Sequence, residues 1–205
     1  MQSRLRFLAF FIWLLSLGAA DARAQGIEGV RPARAQAEIF GGYSYMRSNT
    51  ALSGTPLNLN GVSSSVAIYV KNWLGLVGDL GFYHQGNVAA SGYSLTVSSY
   101  QFGPRLRLKN PTHLTPFAQF LVGAGHAGGT LYTRSLGVGV PPLGANNAFL
   151  FTGGGGVDWK LSPGIGIRLA QVDYLHSQFL NGSGNGNRQD NLRLSAGIVF
   201  SFGND

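Results

Sequence analysis

The feature that most constrains this chain is its alternation. From Ala37 to the C-terminus, bulky apolar residues recur at every second position, not at the spacing of a helix. The last segment shows it best. Leu192, Leu194, Ala196, Ile198, Phe200 and Phe202 share one parity, and Arg193, Ser195, Gly197 and Ser201 the other; only Val199 is out of character. A strand points successive side chains to opposite faces, so it separates these sets, whereas a helix mixes them.

Seven earlier segments behave alike, near residues 37–47, 61–71, 74–85, 95–108, 115–127, 149–160 and 165–176. In the first, Ile39, Tyr43 and Tyr45 oppose Glu38, Gly42 and Ser44. In the third, Leu74, Leu76, Leu80 and Phe82 oppose Asp79, Gly81 and Gln85; in the fourth, Tyr100, Phe102, Leu106 and Leu108 oppose Gln101, Gly103, Arg105 and Arg107. The seventh changes parity between Leu169 and Val172, and one extra residue near Ala170, a β-bulge, restores the phase. The links alternate in length. Asn72-Trp73, Asn110–His113 and Ser162–Gly164 are short, while 48–60, 86–94, 128–148 and 177–190 are long and rich in Gly, Asn, Ser and Pro.

Eight strands, short turns on one side and long loops on the other predict an all-β, eight-stranded antiparallel up-and-down transmembrane β-barrel. The face that lacks bulky apolar residues carries the ionisable ones. Glu38, Asp79, Arg105, Arg107, Asp158, Arg168, Asp173 and Arg193 are expected to point inward as a polar network in which acids and bases offset each other's burial. Aromatic residues are expected in two outward belts where lipid headgroups meet the wall: Trp73, Phe117, Trp159, Phe200 and Phe202 near the short turns, Tyr43, Tyr45, Tyr83, Phe149 and Tyr174 near the long loops.

Composition fits. Charged residues make up 11% of the 205, against about 25% in soluble domains, and glycine contributes 31. With no cysteine there is no disulfide framework and no thiolate chemistry. The net charge of +7 is spread over single basic residues, not gathered into the patch a nucleic-acid binder needs.

The N-terminus reads as an export signal over residues 1–24. Arg4 and Arg6 precede an apolar run from Leu5 to Ala20, and Ala22-Arg23-Ala24 supplies a small-x-small cleavage pattern, placing the cut between Ala24 and Gln25. Residues 25–36 read as a flexible periplasmic leader, and 37–205 as the barrel.

The C-terminal strand carries the most specific motif. Ser195-x-Gly197-x-x-Phe200-x-Phe202 resembles the β-signal by which outer-membrane barrels are recognised for assembly, although three residues follow the final Phe. In layout, and in textures such as GGGGVDWKLSP and VDYLHSQF, the segment 37–203 is similar to the OmpA-type and opacity-protein-like small barrels. The resemblance implies an outer-membrane location, the barrel-assembly machinery as a partner, and a structural or surface-interaction role.

Other motifs are weak. Gly123-Ala-Gly125-His-Ala-Gly128 matches a dinucleotide fingerprint but lacks a following helix, and Gly153–Gly156 lacks the Lys-Ser/Thr of a phosphate loop. The glycine run is expected to make room for a neighbour's bulky inward side chain. His176-Ser177 is the nearest approach to a lipid-modifying site, but adjacent residues of a strand face opposite ways. No catalytic, metal or cofactor site is assigned. Arg47, Arg134 and Arg188 are read as loop residues that contact lipopolysaccharide phosphates. The expectation is a monomer with a side-chain-filled interior and no large pore. The alternatives are a small-solute channel, a soluble lipocalin-like binder and, further off, a lipid A-modifying enzyme.

Overall fold

The computed structural model describes residues 36–48, 56–88, 92–108, 112–130, 146–179 and 188–203. The export segment, nearly all of the leader and Arg134 lie outside the described residues.

Alternation plays out as eight strands: β1 (Gln36–Ser48), β2 (Leu57–Lys71), β3 (Leu74–Gln85), β4 (Leu95–Arg107), β5 (Leu114–Gly128), β6 (Asn146–Ser162), β7 (Ile165–Ser177) and β8 (Gln189–Phe202). Each pairs antiparallel with the next, and β1 pairs with β8, so the sheet closes on itself and leaves no edge. Ala37 sits opposite Phe202 at this closure, so both ends of the barrel lie at the rim of the short turns. One of those turns needs a glycine: Gly164 holds a φ of +88°, which an L side chain rarely adopts.

The wall is inverted relative to a soluble protein across its middle. Val62, Leu76 and Phe102 are 61%, 61% and 67% exposed, in company with Ile68, Leu80, Val172 and Ile198. Ser63, Asp79, Gln101, Gln119, Arg168 and Arg193 are buried on the other face. The bulge falls where the parity change requires it. Arg168 pairs with Gly197 and Gln171 with Ser195, so Leu169 and Ala170 stand together on the outer face.

Two expectations need correction. Tyr83 and Phe117 do not belong to outward belts; both are buried inside. Tyr83 shares its parity with Asp79 and Gly81, and Phe117 shares its own with Gln119, so the alternation itself sends them inward. The second correction concerns the long-loop end, where strands extend into stretches read as loop. β2 begins at Leu57, β6 at Asn146 and β8 at Gln189, and Arg47 lies on β1. Here the polarity reverses. Met46, Leu57, Leu59, Leu95, Val97, Leu150 and Leu175 form an apolar cluster inside, with Asn58, Asn60 and Asn147 exposed outside. A pattern that flips sense halfway along a strand looks like a loop when one sense is assumed.

Candidate functional site

The interior is built by side chains of one parity from all eight strands. At its centre Arg193 of β8 lies between two carboxylates. Its Nη1 is 2.7 Å from Asp79 Oδ1 on β3, and its Nη2 is 2.8 Å from Asp173 Oδ2 on β7. Asp173 also accepts from Gln171 at 2.6 Å and from Gln119 at 3.1 Å. From there the network branches. Gln171 accepts from Arg168 at 2.7 Å, and Arg168 forks onto both oxygens of Asp158 at 2.7 and 3.0 Å. Gln119 Oε1 accepts from Arg105 through both Nε and Nη2, at 3.1 and 2.7 Å. Six of the eight ionisable residues singled out in the sequence are thus joined into one network. The other two, Arg107 and Glu38, pair with each other beside it, and Glu38 also accepts from Tyr69 at 2.9 Å.

The four guanidiniums balance the four carboxylates in number, but Arg193 takes two acids and Arg105 takes none. Arg105 instead lies 4.6 Å from the centre of the Phe117 ring. Arg168 lies against the same ring at 4.3 Å and against Phe40 at 4.2 Å, and Arg107 covers Tyr69 at 3.6 Å. Arginine suits this role because its planar, weakly hydrated cation stacks on aromatic faces. Together these groups form a floor across the lumen above the short-turn rim. Beneath it is an open vestibule of about 740 Å³, whose lining includes Glu38, Arg107, His113, Asp158 and Lys160.

Glycine makes the floor possible. A Cβ on Gly156 would stand 2.8 Å from Phe117 Cζ, and one on Gly154 would stand 2.2 Å from Asp173 Oδ1. The β6 glycine run thus accommodates the inward ring and carboxylate of its neighbours. Above the network, Gln101 donates to Thr152 at 2.8 Å, and the apolar cluster with Tyr83 and Phe179 then takes over. That upper chamber encloses a cavity of about 30 Å³.

On the outer face the belt residues sit in hydrogen bonds near the long-loop rim. Tyr43 donates to Asn60 at 2.5 Å, Tyr45 to Asn58 at 2.6 Å and Tyr174 to Asp190 at 2.6 Å. Trp73, Trp159, Phe200 and Phe202 are exposed at the opposite rim. Arg47 and Arg188 are both exposed on the outer side. His176 and Ser177 face opposite ways: His176 bonds Asp190 on the outer wall, while Ser177 is fully buried and bonds Gln189 and Asn191. Among the described residues, no His, Asp and Glu cluster has the geometry to hold a metal ion. The Gly123–Gly128 motif lies within strand β5.

The β-signal residues lie on β8, at the closing seam. Gly197 sits opposite Gly42, and a Cβ on it would be 2.3 Å from Gly41 O and 2.5 Å from Gly42 Cα. Ser195 bonds Ser44 across the same seam at 2.7 Å. Phe200 and Phe202 point outward. Sequence reasoning missed Tyr69, Phe40, Gln119 and Gln171 as parts of the interior network. Period-two parity places each of them inward, but nothing in the sequence says which inward residues meet.

These features define a small, closed, eight-stranded antiparallel barrel with a polar, arginine-rich interior. Known structures of the same architecture resemble it. Neisserial surface protein A superposes with a TM-score of 0.62 at 14% identity, over 81% of this chain and 97% of that one. Ail of Yersinia pestis gives 0.55 at 15% identity, over 82% and 98%. OprG of Pseudomonas aeruginosa gives 0.51 at 8% identity, over 85% and 98%. No family model matches the chain, and no curated protein is significantly similar in sequence. The likeness is therefore to small eight-stranded barrels at large, not to OmpA or the opacity proteins in particular.

Proposed function

We propose that the chain is an integral outer-membrane barrel with a structural or surface-interaction role, exported by cleavage after Ala24 and assembled through the β8 signal by the barrel-assembly machinery. One observation carries this reading: a continuous exposed apolar band backed by an ionic interior. Such a band is costly in water and favourable against acyl chains, while closure pairs each strand with a neighbour on both sides and leaves no edge toward lipid. It argues against a soluble lipocalin-like binder, whose polarity is the reverse. The long-loop rim is extracellular, and Arg47, Arg188 and Arg134 serve anionic headgroups of the outer leaflet, lipopolysaccharide among them. The protein acts as a monomer, without cofactor or chemistry of its own, through its rim and loops and not through its axis. Stacked Arg and aromatic side chains below, and the apolar cluster above, support an axis without a large pore. The direct test is the membrane fraction on a denaturing gel. The unheated band should run at a different mobility from the boiled one, and a single heat-independent band in the soluble fraction would overturn the placement.

The apolar upper chamber favours a second reading, a blind site for a small apolar solute behind Phe179. Phe179→Ala should then raise the binding of a hydrophobic fluorophore to the detergent-purified barrel, and unchanged fluorescence would discard this reading.

A further inference from the structure

The upper chamber is lined by side chains from several strands, and none of the lining residues carries a charge. Met46, Leu95, Val97, Leu150 and Leu175 give it an apolar wall. Of the polar groups around it, Ser177 donates to Gln189 at 3.4 Å and accepts from Asn191 at 3.2 Å. The Tyr83 hydroxyl accepts from Arg193 Nη1 at 3.4 Å and from Ser44 at 3.5 Å. Ser99 of β4 differs. It is 3% exposed, it lines the chamber, and its hydroxyl meets no hydrogen-bond partner among the described residues. Its place in the sheet explains this. Ser99 stands opposite Gly81 on β3 and Gly125 on β5, so neither neighbour on its rung offers a side chain. On the Gly125 side the room is taken by carbon: a Cβ there would be 2.9 Å from both Leu150 Cδ1 and Phe179 Cζ. The Phe179 ring therefore reaches down to the rung of the unpaired hydroxyl, and the space left beside it is about 30 Å³.

A buried hydroxyl without a partner is unfavourable, and a ligand that supplies the partner removes that cost. We propose that this chamber binds a small uncharged solute with an apolar body and one hydroxyl, the body in the seat of the Phe179 ring and the hydroxyl paired with Ser99. Each feature of the ligand follows from the lining. The body is apolar because the wall is, and such walls bind by burial while a few polar groups fix orientation. A charged head is excluded because no lining group neutralises it, and its desolvation would go uncompensated. The hydroxyl belongs at the inner end, where Ser99 can donate to it or accept from it. Ser99 is then a specificity-determining residue, and Phe179 is an internal competitor for the apolar seat. The inference rests on the chamber reading given above and adds the chemical class of the solute.

Met46 supplies the probe. Met1 and Met46 are the only methionines of the chain, and Met1 falls in the segment read as the export signal, so methyl-labelled methionine places one reporter signal in the chamber. The test titrates benzyl alcohol and ethylbenzene, which differ by a hydroxyl in place of a methyl, into the labelled full barrel in neutral detergent and follows that signal by NMR. Both solutes should move it, and Phe179→Ala should bind both more tightly than wild type. Ser99→Ala should weaken benzyl alcohol about threefold to tenfold, the scale of one hydrogen bond, and leave ethylbenzene unchanged, in wild type and in Phe179→Ala alike. Equal losses for the two solutes, or no loss for the alcohol, overturn the inference and leave the chamber reading standing; this is the result if ordered water already serves Ser99. Binding in Phe179→Ala with none in wild type overturns it as a property of the native barrel. If neither solute moves the Met46 signal even in Phe179→Ala, the chamber reading fails and the inference with it. Phe179→Leu takes the place of Phe179→Ala if the smaller side chain abolishes the heat-dependent mobility shift.

Discussion

Arg193 is the residue on which the interior turns. It is fully buried between Asp79 and Asp173, and its removal leaves two carboxylates in a low-dielectric lumen with one cation fewer. Losing one partner of such a buried group costs about 3–5 kcal/mol, whereas replacing the whole group with apolar residues is often neutral. Arg193→Met should therefore lower the urea stability of the refolded barrel by about that amount. The triple variant Arg193→Met/Asp79→Asn/Asp173→Asn should recover most of the loss, as read from tryptophan fluorescence. Gly156 is a second sensitive position. Its missing side chain is where the Phe117 ring lies, so Gly156→Val should displace the ring and the two guanidiniums stacked on it, with a loss of about 1–3 kcal/mol in the same assay. Both effects were half legible in the sequence. Parity placed Arg193, Asp79, Asp173 and the glycines on the inner face, but which of them touch depends on strands far apart in the chain.

Among the elements, β8 and β4 make opposite points. The Gly197 of the assembly motif also has a steric task, because a side chain there would strike the β1 backbone at the seam that closes the barrel. Gly197→Val should therefore impair refolding into detergent with no assembly machinery present, and an unimpaired yield would confine this glycine to recognition. In β4 the ladder to β5 breaks: pairing passes from Phe102–Val122 to Arg105–Gln119 and skips Gly103 and Pro104. Proline has no N–H to donate, so one rung of a central span is missing. Pro104→Val should restore that rung and stabilise the barrel by about 0.5–1.5 kcal/mol, seen as a higher temperature for the gel-mobility shift. The bulge at Leu169–Ala170 was readable from sequence because it leaves a parity error. The broken rung leaves none, because Pro104 fits the outward parity of its neighbours.

On the scale of the whole molecule, the wall has two polarity regimes stacked along one axis. The middle is polar inside and apolar outside; toward the long-loop end an apolar cluster lies inside together with the buried Ser48, Ser177, Gln189 and Asn191, and Asn58, Asn60 and Asn147 face outward. Two different plugs thus lie in series, an arginine–aromatic floor and an aliphatic cluster. In planar bilayers the wild type is expected to show no stable conductance, and sustained openings of nanosiemens size would overturn that reading. The sequence by itself determined the strand number, the alternation of short and long connections, the bulge and the inward set of charges, because each is written in local spacing. Only the tertiary structure decided which charges pair, which aromatic rings the guanidiniums stack on, and that an apolar cluster fills the lumen toward the long loops. Closure brings β3, β7 and β8 around a common axis, and the sense of an alternation has meaning only once the wall has been given an inside.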